Sequence, residues 1–187
     1  MFHHNKINWN IIFLDEIDST NELIKREIKN LPNYTVVVAN HQTNGKGQFD
    51  RKWVSNRNEN LLCSILMKDT SILITEHLNS ILINTIVNTL QRFGISASYK
   101  SPNDIYVNDL KIAGILVERA YENKHLLYTI VGIGLNINQV IFPIPKATSM
   151  HNETKMMFQV RYILDALLYQ LEDQLKLFSI NAIKEAS

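Results

Sequence analysis

Residues 105–117 hold two apolar runs separated only by Asn108-Asp109, a spacing that leaves little room for anything but an antiparallel hairpin. Ile105-Tyr106-Val107 is β-branched and aromatic, residues 110–117 form the return strand, and Asn and Asp both tolerate the positive φ of a two-residue turn. Lys111 opens that return strand among apolar neighbours. A lysine so placed is ordinarily a solvated strand end. Its company argues for more. Asn103-Asp104 immediately precedes the hairpin, and Gly114 interrupts the apolar strand, as glycine does where a ligand or a second backbone comes close.

Other segments supply partners for the hairpin. Residues 11–14, 34–39 and 61–67 are strand candidates, and Val36-Val37-Val38, apolar on both faces, points to a central strand. Residues 126–138 return as a long strand in which Gly132 and Gly134, two apart, share one face. That pair leaves either a trough for a flat ligand or a seat for a packed helix.

Between the strands, Asp18-Ser19-Thr20-Asn21-Glu22 opens a helix running to about Lys29, with Leu23, Ile24 and Ile28 inward; Ser19 and Glu22 have capping-box spacing. Capping accounts for Ser19 but not for three successive hydrogen-bonding side chains, so Ser19, Thr20 and Asn21 are also candidates for a polar ligand. Residues 75–93 form a core helix with Leu78, Ile81, Leu82, Ile86, Val87 and Leu90 at helical spacing and Gly94 past its end. Residues 139–152 are a loop with Pro143 and Pro145, and residues 154–177 a final helix striped by Met157, Val160, Ile163, Leu164, Leu167, Leu168, Leu171 and Leu175. Strands alternating with helices, hairpins included, give an α+β class, a mixed sheet backed by helices.

The segment from His41 to Trp53 is polar, with Gly45 and Gly47, the cations Lys46, Arg51 and Lys52, and a terminal large aromatic. Its glycine spacing and its lack of a lysine-hydroxyl pair exclude a Walker A loop. It is either a solvated hairpin loop or a mobile cover that orders itself on an anionic ligand. Composition narrows the field. The chain's 187 residues are enough for one domain with a sizeable core. Nineteen basic and 18 acidic residues give no bulk field toward nucleic acid or an anionic membrane. The single cysteine, Cys63, sits in an apolar run as a small buried hydrophobe and fits a reducing cytoplasm. No apolar stretch reaches the roughly 18 residues a membrane span needs, and the polar N-terminus is not a signal peptide. Six histidines, His3-His4 among them, show no zinc-like spacing.

Taken together, the motifs of residues 11–150 resemble the catalytic domain of biotin protein ligases. The resemblance rests on four segments in order. They are Asp18-Ser19-Thr20-Asn21; Gln42-Thr43-Asn44-Gly45-Lys46-Gly47 with Arg51-Lys52-Trp53; Lys100-Ser101-Pro102-Asn103-Asp104 with residues 111–118; and Gly132-Ile133-Gly134-Leu135-Asn136-Ile137-Asn138. Ala147-Thr148-Ser149 is similar to the segment that closes over adenylate in relatives. Any one segment is weak; four in order are specific.

The resemblance implies a largely antiparallel sheet of the class II aminoacyl-tRNA synthetase/biotin ligase kind. It also implies a reaction in which biotin and ATP give biotinyl-adenylate, and a lysine of a biotin carboxyl carrier protein then takes the biotinyl group. Lys111 would stand between the biotin carboxylate and the α-phosphate, where a fixed cation offsets their repulsion. Biotin would be held by Ser19, Thr20, Asn21, Gln42, Gly45, Lys46, Gly47, Gln48, Lys111, Gly114, Gly132 and Gly134. The nucleotide falls to Lys46, Arg51, Trp53, Asn103, Asp104, Asn136 and Ser149, with Asp104 the candidate for Mg2+. No protein nucleophile is needed, in keeping with the lack of a Ser-His or Cys-His pair. The loop of residues 45–51 would cover the adenylate and exclude water.

The chain departs from the family pattern in three places. Lys46-Gly47-Gln48 replaces Arg-Gly-Arg, Phe49-Asp50 replaces Arg-Gly, and Ser101 replaces the tryptophan of Lys-Trp-Pro-Asn-Asp. Lysine keeps charge but loses the bidentate fork, and Gln48 loses the charge as well. Residues 1–187 are expected to form one catalytic domain, with neither an N-terminal winged helix nor a C-terminal SH3-like barrel, so no DNA partner is expected. A homodimer stays open. Two alternatives stand beside the ligase reading: a lipoate or octanoate ligase of the same fold, and a degenerate biotin-binding module without turnover.

Overall fold

The computed structural model describes residues 6–49, 51–68, 72–143 and 146–185. Asp50, Pro145 and His3-His4, named above, lie outside the described residues. The strands are β1 (Asn10–Ile17), β2 (Thr35–Gln42), β3 (Asn60–Met67), β4 (Ser98–Lys100), β5 (Asp104–Val107), β6 (Leu110–Glu122) and β7 (His125–Asn136). They form one sheet in the order β1-β2-β3-β7-β6-β5-β4, parallel between β1 and β2 and antiparallel elsewhere. This is the expected mixed, largely antiparallel sheet. Asn108 and Asp109 turn β5 into β6 with φ of 45° and 65°, as the Asn-Asp pair requires.

Helices cover both faces of the sheet. On one, α2 (Ile72–Arg92) and α4 (Val160–Glu185) pack Leu78, Leu82, Ile86, Leu164, Leu167 and Leu171 onto the odd-numbered residues of β3 and β7. On the other, the short α1 (Thr20–Arg26) buries Ile24 against Val37, Leu66 and Ile130. Strand alternation therefore sends Ser64, Gly132 and Gly134 to the α1 face. α1 covers only one end of that face and leaves the rest for the site.

Several elements differ from the sequence expectation. β2 is buried throughout its first five residues, yet it lies second from the edge rather than at the centre. α1 stops at Arg26, not near Lys29. Ser19 occupies its N-cap position, but its hydroxyl makes no capping bond, so the capping box does not form. The Glu22 carboxylate is drawn instead to Lys25 and Lys46. The expected loop of residues 139–152 contains the start of a helix, α3 (Met150–Thr154), which Ser149 caps by accepting from Asn152 N at 3.1 Å. Lys155 then adopts φ 62° and ends it, so α4 begins at Val160 and Met157 stays outside, 69% exposed.

Candidate active site

The floor of the site is set by register. β3, β7 and β6 place Ser64, Gly132 and Leu116 in one row and Leu62, Gly134 and Gly114 in the next. The space over the glycines is taken by the chain's own side chains. A Cβ on Gly132 would lie 2.6 Å from Asn21 Oδ1, and one on Gly134 only 2.5 Å from Cε2 of the Trp53 indole. Gly114 would bring a Cβ within 3.0 Å of the same ring. The trough predicted from Gly132 and Gly134 is thus a seat for Asn21 and Trp53, and a cavity of about 520 Å3 opens beside them.

At one end of the cavity, α1 delivers a buried polar cluster. Gln42 Oε1 accepts from Thr20 N at 2.8 Å and lies 3.1 Å from the Thr20 hydroxyl. Thr20 Oγ1 is 2.6 Å from Ser64 Oγ, and Ser64 Oγ also contacts Asn21 Oδ1. Asn21 Nδ2 donates to Glu118 Oε2 at 2.7 Å, while Lys25 Nζ reaches Glu118 Oε1 at 2.7 Å and Glu22 Oε1 at 2.8 Å. Burial works against the Lys25 charge, but its bonds to Glu118 and Glu22 outweigh that and raise its pKa. Glu22 is lowered by its bonds to Lys25 and then Lys46. Asp18, just ahead, is held down at about 2, chiefly by the Arg26 guanidinium 2.6 Å away.

At the other end stands Lys111. Its Nζ lies 2.7 Å from Asp104 Oδ1, an ion pair without the alignment of a directed hydrogen bond, and 5.4 Å from the centroid of the Trp53 ring. Gly114, beside that ammonium, pairs with Gly134, two residues along β7 from Gly132, so the two ends are about 7 Å apart along the strand. Trp53 Nε1 is buried there with no acceptor among the described residues. The backbone around Lys111 is pinned: its N donates to Lys146 O and its O accepts from Thr148 N, both at 2.9 Å.

The loop between β2 and β3 folds back as a small hairpin over this gap. Gly47 N donates to Arg51 O at 2.7 Å and Trp53 N to Gly45 O at 3.0 Å, and Lys46 Nζ clasps Glu22 at 2.7 Å. Among the described residues, Lys46, Arg51, Lys52, Lys111 and Lys146 line the cavity against one carboxylate, Asp104. A chain of net charge +1 therefore carries a strongly cationic hollow. Such a site suits a polyanion beside a neutral hydrogen-bonding group.

The biotin/lipoate A/B protein ligase family matches residues 13–136. The chain belongs to that family. It is 33% identical over 132 residues to the bifunctional ligase/repressor BirA of Bacillus spizizenii, a match covering 69% of this chain and 41% of that protein. The chain thus spans about two fifths of the curated relatives it matches. Its structure is similar to the biotin protein ligase of Aquifex aeolicus in complex with biotin and ATP. There the TM-score is 0.76 at 32% identity, covering 90% of this chain and 71% of that one. A mutant of that ligase in complex with biotin gives a TM-score of 0.77, again at 32% identity, over 90% and 71%. The fold is accordingly the α+β, class II aminoacyl-tRNA synthetase/biotin ligase-like fold.

Most of the residues singled out by the resemblance to biotin protein ligases converge on the cavity. Ser19, Thr20, Asn21 and Gln42 wall its neutral end; Lys111, Asp104, Asn103, Arg51 and Trp53 wall the cationic end; Lys46, Gly47 and Gln48 cover it; and Gly114, Gly132 and Gly134 floor it. Gly45, Asn136 and Ser149 do not line it. Gly45 is in the hinge of the loop, where a Cβ would meet Trp53 O at 2.6 Å. Asn136 is buried and donates to Thr148 O at 2.9 Å, and Ser149 is committed to capping α3. Sequence reasoning did not single out Ser64, Lys25 or Lys146, named Lys52 only among the loop cations, and took in Glu118 only within the motif of residues 111–118. Ser64 carried a signal: it is a hydroxyl in a strand apolar on both faces, and such a residue needs a buried partner.

Proposed function

We propose that this chain is an ATP-dependent biotin protein ligase. It joins the biotin carboxylate to the α-phosphorus of ATP with release of pyrophosphate, then passes the biotinyl group to a lysine of a biotin carboxyl carrier protein with release of AMP. The observation that carries this reading is the pairing of a neutral, hydrogen-bonding end built on Thr20, Asn21 and Gln42 with a cationic end built on Lys111, across one glycine floor. A ureido ring offers two N–H groups and a carbonyl to the first. A carboxylate meeting a phosphate needs the second.

The chain's own groups divide the work. Lys111 offsets the repulsion between the two anions as the bond forms, and Asp104 orients its ammonium. Arg51, Lys52 and Lys146 neutralise phosphate charge. Trp53 and the loop of residues 45–53 exclude water from a mixed anhydride that would otherwise hydrolyse. Mg2+ fits the site by entering with the phosphates: Asp104 is the one lining carboxylate among the described residues, and Mg2+ is ordinarily held by one or two carboxylates plus substrate oxygens. It would neutralise phosphate charge there.

Exchange of pyrophosphate into ATP, assayed with biotin or with lipoate as co-substrate, tests the reading. Biotin-dependent exchange is the expected result. Lipoate-dependent exchange would assign the chain to the other branch of its family, and biotin binding without exchange would leave it a binding module.

A further inference from the structure

Lys111 stands where the sheet runs out. β6 pairs with β7 as far as Ala113↔Leu135, two residues short of Lys111. On its other side, Ile105 pairs with Ala113 and Tyr106 with Lys111, which leaves Ile112 as a bulge, fully buried in the core. The place beside Lys111 that β7 does not reach is taken by residues 146–148, in a parallel bridge between Lys111 and Ala147. Lys111 N donates to Lys146 O and Thr148 N donates to Lys111 O, both at 2.9 Å. Both backbone hydrogen-bonding groups of this lysine are thus met by one strap.

The strap is itself held from its C-terminal side. Asn136, the last residue of β7, is buried; its Nδ2 donates to Thr148 O at 2.9 Å and lies 3.4 Å from Lys111 O. Thr148 is buried too, and its hydroxyl donates to Glu153 Oε1 at 2.5 Å. Ser149 caps α3, which His151 N ties back to Ile137 O at 2.8 Å. The two nucleotide candidates that lie outside the cavity, Asn136 and Ser149, are therefore both committed to the strap. Closing the segment after β7 back onto Lys111 costs entropy, which the side-chain bonds of Asn136 and Thr148 offset.

We propose that Asn136 and Thr148 are positioning residues for Lys111. They hold the strap, and the strap holds the Lys111 backbone. That fixes the base of a flexible four-carbon stem whose head is held by Asp104 at 2.7 Å. An ammonium that must meet two anions at once tolerates little displacement, and a shift of about 1 Å can cost about a hundredfold in rate. The inference rests on the biotin reading above for what Lys111 does, but not for how it is held.

Asn136→Ala and Thr148→Val each remove one anchor, and Thr148→Ser keeps the hydroxyl. In the free protein, the Lys111 and Thr148 amides should exchange with deuterium about fivefold faster or more in the first two variants, the worth of one hydrogen bond. The Ile115 amide, bonded to Asn103 O at 2.9 Å farther along β6, should not change. The Lys111 Cε resonances, set by the Trp53 ring 5.4 Å from Nζ, should move toward solvent values. In biotin-dependent pyrophosphate exchange, kcat should fall by about fivefold to a hundredfold while KM for biotin and ATP stays within about twofold. Thr148→Ser should keep the wild-type kcat. A raised KM for ATP at unchanged kcat would make Asn136 a nucleotide contact and overturn the proposal. Equal acceleration of exchange at Ile115 would mean a merely structural role and overturn it as well.

The free-protein measurements separate the strap from the reaction. If the two amides are protected in wild type and released in both variants, while wild type supports no biotin-dependent exchange, the strap stands and the biotin reading falls. If the amides are unprotected in wild type, or the Lys111 resonances ignore both substitutions, the proposal falls whatever the activity.

Discussion

Lys111 and Asp104 hold each other at 2.7 Å in the cavity, so a change to one alters the charge of the other's surroundings. On the proposed reading, Lys111→Ala removes the cation between two anionic reactants and leaves the Asp104 carboxylate facing phosphate. Biotin-dependent pyrophosphate exchange should fall at least about a hundredfold, the scale of losing one preorganised electrostatic group, with an unchanged circular dichroism melt. The double variant Lys111→Ala/Asp104→Asn should recover part of that loss by removing the stranded charge; no recovery would show that the stranded carboxylate is not a source of the loss. At Gly134 the constraint is steric. Gly134→Ala sets a methyl 2.5 Å from the Trp53 ring, which must leave its seat. In a Trp9→Phe background, needed because the chain has two tryptophans, the emission of Trp53 should shift to the red. The cost should be about 1–3 kcal/mol of stability in urea melts, as for other overpacked positions. At this scale the sequence was informative wherever neighbours along the chain are neighbours in space. Lys111, Gly114 and Asp104 share one hairpin and could be grouped by pattern. Ser64 meets Asn21 across 43 residues, and only the sheet register shows why.

The elements that were legible are those whose signals are local. The hairpin of β5 and β6 was marked by its turn residues, β3 by its apolar run, and α2 by its helical spacing. What escaped were boundaries decided by tertiary contacts. The capping box failed because Glu22 found Lys25 and Lys46, and the last helix began late because Lys155 took a left-handed conformation. The same Glu22–Lys46 pair ties the cover loop to α1, and Gln48 beyond it lines the cavity without charge. Gln48→Arg should place a guanidinium against the cationic end, where a bidentate contact to a phosphate is available that lysine and glutamine cannot make. Bound biotinyl-adenylate should then leave more slowly than from wild type, by about tenfold or more in a chase experiment, the lower end of a hydrogen bond to a charged group. Equal dissociation rates would show that the loop does not govern retention of the intermediate.

Across the whole molecule, three acidic groups near α1 and β1 join the sheet edge, the site and the loop into one acid-sensitive unit. Asp18 is held at about 2 by Arg26; Asp15 is lowered by Asn40 and then Arg57; Glu22 is lowered by Lys25 and then Lys46. Each therefore binds its proton less readily in the folded chain than in the unfolded one. Their stabilisation is complete above the ordinary carboxylate values of 3.8 for Asp and 4.5 for Glu, and it is lost as pH falls through the lower folded values, down to about 2 for Asp18. Urea midpoints should accordingly hold steady above pH 5 and drop between about pH 4 and 2, less steeply in high salt because these pairs are partly exposed. Replacing all three, as Asp15→Asn/Asp18→Asn/Glu22→Gln, should lower the midpoint at neutral pH and flatten its acid limb. Biotin binding should weaken on that limb before the fold is lost, since Glu22 is also the anchor of Lys46. A steep acid limb in the triple variant would place the sensitivity elsewhere. Binding that tracks global unfolding alone would show that the Glu22–Lys46 clasp does not hold the loop.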